Sequence, residues 1–254
     1  VTLDYTIVVP SRKRVHNMPF IRRLLPSAMI CVDKRERDAY RSEVPAENLL
    51  VHPEMDGSAK VRNWIVDAVK TPVLIQIDDD FCGVQVTTGA KRFIIDQNEI
   101  LAILENAARA CQDLKLTTFC FSGTPNTTII RPDERPIVPT QPVFRAFGTM
   151  GKARKRKWRE DIIGRADLDW TLRTLLEDRC VYADVRFFFD CGAVFAGRGG
   201  NVGMISPEQF TKATEVLRQI WGRSVSFKPP GYMKKREVAS VSLRVSRTNK
   251  TAQR

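Results

Sequence analysis

The run Val73-Leu74-Ile75-Gln76-Ile77 ends in three consecutive carboxylates, Asp78-Asp79-Asp80, before Phe81. The aliphatic residues behind Thr71-Pro72 have the length and composition of a strand covered on both faces, as in a parallel sheet. Ligands of such sheets collect at the C-terminal strand ends, which is where the aspartates sit. If the chain stays extended, alternation sends Asp78 and Asp80 to one side and Asp79 to the other. Two converging carboxylates repel unless a hard cation joins them. Magnesium or manganese is the expected ion, since either takes one or two protein carboxylates and fills its shell with water and substrate phosphates. A solvated acidic turn after a core strand would account for the triplet alone equally well.

A second acidic motif is Ala166-Asp167-Leu168-Asp169-Trp170-Thr171-Leu172-Arg173, in which Asp167 or Asp169 could cap the helix that follows. It is preceded by the most basic stretch of the chain, residues 151–159, with six cations in nine positions. Lys152, Arg154, Lys155, Arg156 and Lys157 are expected to contact phosphates, with Trp158 stacking on a base or lying against a sugar edge. A charge run that is merely solvated is the alternative. Further on, Gly197-Arg198-Gly199-Gly200-Asn201 could let the backbone approach a phosphate with Arg198 assisting, or could be a loop that needs positive φ.

Only two histidines occur, His16 and His52, both before the triplet. A Ser-His-Asp relay or a histidine-rich metal cage would have to use those two, so acid or base chemistry falls to a carboxylate. Each histidine is expected to be a surface or satisfied core residue. The six cysteines include no CxxC pair and lie mainly beside apolar residues, which points to reduced core thiols, without disulfides or zinc.

The elements that must hold these residues alternate. Strands are predicted at Tyr5–Val9, Met29–Val32, Asn48–His52 and from Val73, with helices at Pro19–Leu25, Arg35–Arg41 and Ser58–Val69 between them. This is the pattern of an α/β sheet with right-handed crossovers, its phosphate crevice above Ser11, Asp33 and the triplet. An amphipathic helix is predicted at Asn98–Leu114 and strands at Thr117–Phe121 and Val143–Phe147, around a proline-rich looping segment, Pro125–Pro142. A helix at Pro207–Trp221 and a strand-like piece at Val238–Val245 end the reading, in a cationic tail.

With 254 residues, 43% of them hydrophobic, the chain can bury a full core as one domain. A formal charge of +12 favours polyanionic partners, nucleic acid or an anionic membrane surface. No apolar run is long enough to span a bilayer and no targeting segment is evident, so a soluble cytoplasmic protein is expected.

Taken together, the N-terminal strand ending in a basic loop, Asp33 after strand two, Lys60-x-Arg62-Asn63, the aspartate triplet and Asp167-x-Asp169-x-x-x-Arg173 resemble the GT-A glycosyltransferases over roughly residues 5–200. The resemblance implies an α/β, Rossmann-like mixed and mainly parallel sheet flanked by helices. Residues 1–82 would bind the nucleotide sugar, and 83–254 the acceptor, with a basic C-terminal tail. It implies donor contacts from Pro10, Ser11, Arg12, Asp33, Lys60, Arg62, Asp78 and Asp79, a Mn or Mg ion on Asp78 and Asp80, and Asp167 as general base. Ala166 stands where the family has glutamate, which leaves Asp169 as the rival base. No histidine follows His52 to complete the metal shell, so diphosphate and water, or Asp190, would do so.

Within the fold the chain is most similar to the TET-associated and base J glucosyltransferases, which include phage members. That similarity implies a monomer transferring a sugar, glucose foremost, from a UDP-sugar to the hydroxyl of a hydroxymethylated pyrimidine in DNA, 5-hydroxymethylcytosine foremost, with inversion. The cytoplasm would be that of the host if a phage encodes it. Two other readings remain open: a GT-A enzyme acting on a glycan or lipid acceptor at an anionic surface, and an inactive DNA-binding domain on the same scaffold.

Overall fold

The computed structural model describes residues 3–89, 92–191, 205–228 and 240–243. The first half runs β1 (Tyr5–Pro10), α1 (Met18–Leu24), β2 (Met29–Asp33), α2 (Arg37–Arg41), β3 (Leu49–His52), α3 (Ser58–Ala68) and β4 (Val73–Ile77). Two short strands, β5 (Gly83–Val86) and β6 (Arg92–Ile94), lead into α4 (Gln97–Asp113) and β7 (Thr118–Phe121). Next come α5 (Thr127–Ile130), β8 (Ile137–Val138), β9 (Ala146–Thr149), α6 (Ala166–Asp178), β10 (Tyr182–Asp184) and β11 (Phe187–Asp190). The last elements are α7 (Pro207–Trp221), β12 (Val225–Lys228) and β13 (Ser240–Leu243).

The main sheet has the order β3-β2-β1-β4-β9-β7-β10-β8. β3, β2, β1, β4, β7 and β10 run one way, while β9 lies antiparallel between β4 and β7 and β8 is antiparallel to β10. This is the mixed, mainly parallel sheet expected. Alternation divides its core. Ile7, Val9, Ile30, Val32, Ile75 and Ile77 face α1 and α4, while Val8, Cys31 and Leu74 face Ile65 and its neighbours on α3. Gln76 shares the α3 face, where its side-chain oxygen accepts from Arg62.

A second sheet, β11-β5-β6, is antiparallel and grows directly out of the aspartate triplet. Gly83, at φ 140°, starts it, and a Cβ there would lie 2.7 Å from the Phe93 ring. Only glycine allows both that backbone and that contact.

Some boundaries differ from expectation for physical reasons. The strand foreseen at Val143–Phe147 starts only at Ala146, because Arg145 holds a left-handed conformation (φ 61°) that breaks the extended run. The proline-rich stretch contains α5 and β8. α7 matches its predicted span and opens on a reciprocal cap between Ser206 and Gln209. β13 falls within the strand-like piece of the tail and pairs with β12. The glycine-rich turn with Arg198, and most of the cationic tail, lie outside the described residues. Among the described residues no helix is long and apolar enough to cross a membrane.

Candidate active site

β4 stops at Ile77 and the triplet is a turn, closed by a hydrogen bond from the Phe81 amide to the Asp78 carbonyl (3.2 Å) and tied to the start of β9 by the Asp78 amide donating to the Arg145 carbonyl (2.8 Å). The turn still separates the three side chains. Asp78 accepts from the Arg62 guanidinium (2.7 Å), Asp80 accepts from Arg14 (2.9 Å), and Asp79 points into the protein with 5% exposure. Asp79 accepts from Ser11 Oγ (2.8 Å), the Arg12 amide (3.2 Å) and Arg14 (2.5 Å), while Ser11 also shares a hydrogen bond with Tyr40 (2.7 Å). So the middle aspartate and Ser11, both expected at the donor, are buried ties that pin the loop after β1 to the end of β4. Arg14, which no motif singled out, is the cation that bridges Asp79 and Asp80.

Asp78 and Asp80 do converge. Donor atoms of Asp78, Asp80 and Cys191 all lie within 4.8 Å of one another. Burial, and then the neighbouring charge of Asp78, push the Asp80 carboxyl up to about 6, with Arg14 opposing. Each carboxylate gives one oxygen to an arginine, Oδ1 of Asp78 and Oδ2 of Asp80, and so has a second oxygen for a cation. Two repelling carboxylates at a half-exposed strand end, with water able to enter, suit a divalent ion whose shell is completed by substrate phosphates. Cys191 was read from the sequence as a core thiol. Its signal, adjacency to Asp190 at the end of an aromatic strand, becomes legible only through the pairing of β11 with β5.

Around this centre, Pro10 is the last residue of β1 and lies in register with Cys31 of β2. Arg12 pairs with Asp56 (3.0 Å), and Lys60 is exposed in the first turn of α3. Asp33 is buried and its carboxylate is taken by Arg35, which donates its amide, Nε and Nη2, and by the Met55 amide. The Arg35 hydrogen bonds hold the Asp33 carboxyl well below the usual range. His52 is buried against Trp64, with Nδ1 2.6 Å from the Pro53 carbonyl.

Arg62 does more than hold Asp78. Its guanidinium lies 5.2 Å from the ring centres of both Phe147 and Trp158, and its charge acts on Asp167 at the start of α6. Asp167 and Asp169 differ sharply. Asp169 is fully buried, accepting from Arg173 Nε (2.8 Å) and from Trp221 Nε1 (2.9 Å). Asp167 is only partly exposed, forms no ion pair among the described residues, and is raised above the ordinary carboxylate range by burial, with Arg165 and Arg62 opposing. Neither caps the helix: the cap residue is Arg165, without a side-chain bond. A further residue that the motifs did not reveal is Arg145. Its Nη1 is buried without a hydrogen-bond partner among the described residues, and its charge reaches Cys191.

A model of the TET-associated glycosyltransferases matches residues 5–200. The chain belongs to that family. It is therefore a glycosyltransferase, in keeping with the resemblance drawn from its motifs. Comparison with curated proteins finds no match. Among solved structures, glucosyl-3-phosphoglycerate synthase from Mycobacterium tuberculosis, in complex with Mn2+, UDP-glucose and phosphoglyceric acid, is similar at TM-score 0.50 and 10% identity, over 96% of this chain and 88% of that one. Mannosyl-3-phosphoglycerate synthase from Rubrobacter xylanophilus is similar at 0.50 and 9%, over 94% and 84%. S. aureus TarS 1–349 gives 0.49 and 12%, over 87% of this chain and 66% of that one, so the chain spans about two thirds of TarS 1–349. At these identities the likeness to the two synthases shows a shared fold, the GT-A α/β sheet.

In this glycosyltransferase the basic run does not form the open cationic face its composition suggested. Arg154 is buried and donates to the carbonyls of Val66 (3.0 Å), Val69 and Thr71 (3.2 Å), which satisfies the end of α3. Arg156 is buried against the Trp170 ring and bonds Thr174 (2.7 Å), Glu177 (2.7 Å) and Asp178 (3.0 Å). Trp158, 5% exposed, stacks on Trp170 with ring centres 5.3 Å apart, so its face is not offered to a base. Lys152 pairs with Asp178 and Lys157 with Asp67. Lys155 is exposed and pairs with no described residue.

Proposed function

We propose that the enzyme transfers a sugar, glucose foremost, from a UDP-sugar to the hydroxyl of a hydroxymethylated pyrimidine in DNA, 5-hydroxymethylcytosine foremost, with inversion and with Mn or Mg. The observation that carries the reading is the placement of Arg62, whose guanidinium bonds Asp78 at the triplet and whose charge acts on Asp167. Arg62 thus links the carboxylate that the fold leaves uncommitted at α6 to the end of β4. The family match and the charge of +12 favour a DNA acceptor. The fold neighbour from M. tuberculosis holds Mn2+ and UDP-glucose, the kind of metal and donor proposed here.

In this mechanism Asp167 removes the acceptor hydroxyl's proton as that oxygen attacks the anomeric carbon, on the face opposite the departing diphosphate. The 1–82 half receives the donor: Pro10, Ser11, Arg12, Asp33, Lys60, Arg62, Asp78 and Asp79 frame it, with Asp79 acting through the loop it anchors. Arg145 Nη1, without a partner among the described residues, offers a donor to an anionic oxygen. A divalent ion at Asp78 and Asp80, when bound, supplies positive charge against the diphosphate. The 83–254 part meets the acceptor, whose base is taken out of the stack to reach the donor. A DNA acceptor puts the enzyme in the cytoplasm, that of the host if a phage encodes it.

The test is nucleoside mass spectrometry of hydroxymethylated and plain duplexes after incubation with UDP-sugars and Mn2+. Hexose added to hydroxymethylpyrimidine alone is the expected result. Sugar transfer to a glycan or lipid acceptor, with no modified nucleoside, would replace the DNA reading. Tight, salt-sensitive duplex binding without turnover of any donor would mark an inactive DNA-binding domain.

A further inference from the structure

Cys191 follows β11 directly, and the pairing of Asp190 with Gly83 carries it to the residues that leave β4. The Cys82 amide and thiol both donate to the Asp190 carbonyl (2.8 and 3.2 Å), which fixes this junction from the triplet side. The Cys191 side chain is 6% exposed and has no hydrogen-bond partner among the described residues. It is aimed at two carboxylates, one ligand atom from each of the three lying within 4.8 Å of the others. A small apolar residue would fill the same space without meeting those charges. A divalent cation among the three ligand atoms would relieve the repulsion between the carboxylates and take the sulfur into its shell.

We propose that Cys191 is a third protein ligand, through sulfur, to the divalent cation held by Asp78 and Asp80. Two hard oxygens and one soft sulfur make a site that discriminates among metals. Thiolate favours zinc, cobalt and cadmium, whereas magnesium prefers an all-oxygen shell and gains nothing from sulfur. The cation preference of the enzyme is therefore set from β11, an element outside the donor-binding half. The proposal rests on the metal reading of Asp78 and Asp80.

The test uses the full chain, reduced and freed of metal, titrated with Co2+ and separately with Mg2+. Wild type is expected to develop a near-ultraviolet thiolate-to-cobalt charge-transfer band that saturates at one equivalent. Cys191→Ser should lose the band and bind cobalt about tenfold or more weakly, in line with the cost of disturbing a metal's ligand set, while its magnesium affinity hardly moves. Cys191→Asp, which restores an ionisable oxygen, should bind magnesium more tightly than wild type and show no band. This second variant keeps the test decisive if the serine protein folds poorly. Cobalt bound by wild type without the band, or with a band unchanged in Cys191→Ser, would overturn the sulfur ligand and leave the aspartate site standing. Wild type that binds neither cobalt nor magnesium more tightly than Asp80→Asn would overturn the aspartate site and the sulfur ligand together.

Discussion

The indole of Trp221, at the end of α7, donates its N–H to Oδ1 of Asp169 at 2.9 Å while Arg173 Nε binds the other oxygen at 2.8 Å. These bonds distinguish the two aspartates of the second acidic motif. Asp169 joins α6 to α7 from a fully buried position, which leaves Asp167, the proposed base, free of that structural duty. Asp167→Asn should lose roughly 10² to 10⁴ in single-turnover rate with a melting temperature no lower than that of wild type. Asp169→Asn should instead cost about 1–3 kcal/mol of stability, since it puts an amide N–H against a buried donor. Rates and melting curves of both variants check this, and a dead Asp169→Asn of normal stability would reverse the roles.

Asp167 also predicts a pH profile. Its carboxyl is raised by burial, so the ionised base is lost on acidification at a higher pH than an ordinary aspartate would show. Arg62 opposes that rise. Arg62→Met should move the acid limb of the rate profile to still higher pH, in addition to weakening donor binding, whereas an acid limb that stays in place would separate Arg62 from the base. The same shift has a stability sign. A folded-state carboxyl above its unfolded value contributes stability below the unfolded value and loses it as pH rises through the folded one, so Asp167→Asn should gain stability relative to wild type at neutral pH.

Asp79 is expected to behave as part of the fold. Asp79→Asn leaves Arg14 facing one charge fewer in a buried setting, at a cost of about 3 kcal/mol. Donor affinity should fall with it, because the loop that carries Ser11 and Arg12 is no longer pinned. Asp80→Asn, half-exposed, should keep the wild-type melting temperature yet lose the rise in melting temperature that Mn2+ with UDP gives wild type. Differential scanning fluorimetry with and without Mn2+ and UDP distinguishes the two.

The basic run supplies a prediction opposite to its composition. Arg156→Gln should lower stability, through the loss of Asp178, Glu177 and the Trp170 ring, with little change in the salt dependence of DNA binding. Lys155→Ala should leave stability alone and reduce the slope of log affinity against log salt by about 1 if that side chain meets a phosphate. Titrations of duplex at two salt concentrations provide the measurement.

The sheet was legible in the sequence because its signal is local. Runs such as Ile7-Val8-Val9 and Val73-Leu74-Ile75 are apolar on both faces, and the polar segments between them have helical period, so order and type of the elements follow from side-chain chemistry alone. The triplet was legible for the same reason: three carboxylates at the end of a buried strand have few ways to be tolerated. What each charge does was not, since that depends on partners far away in the chain. Asp79 meets Arg14, Asp169 meets Trp221, Arg154 meets the end of α3, and Cys191 meets Asp78 only because β11 pairs with β5. The sequence by itself determined which residues were charged and at which strand end the carboxylates would gather. Only the tertiary structure decided which charges the fold neutralises and which it leaves to act, because burial and pairing are properties of neighbours in space.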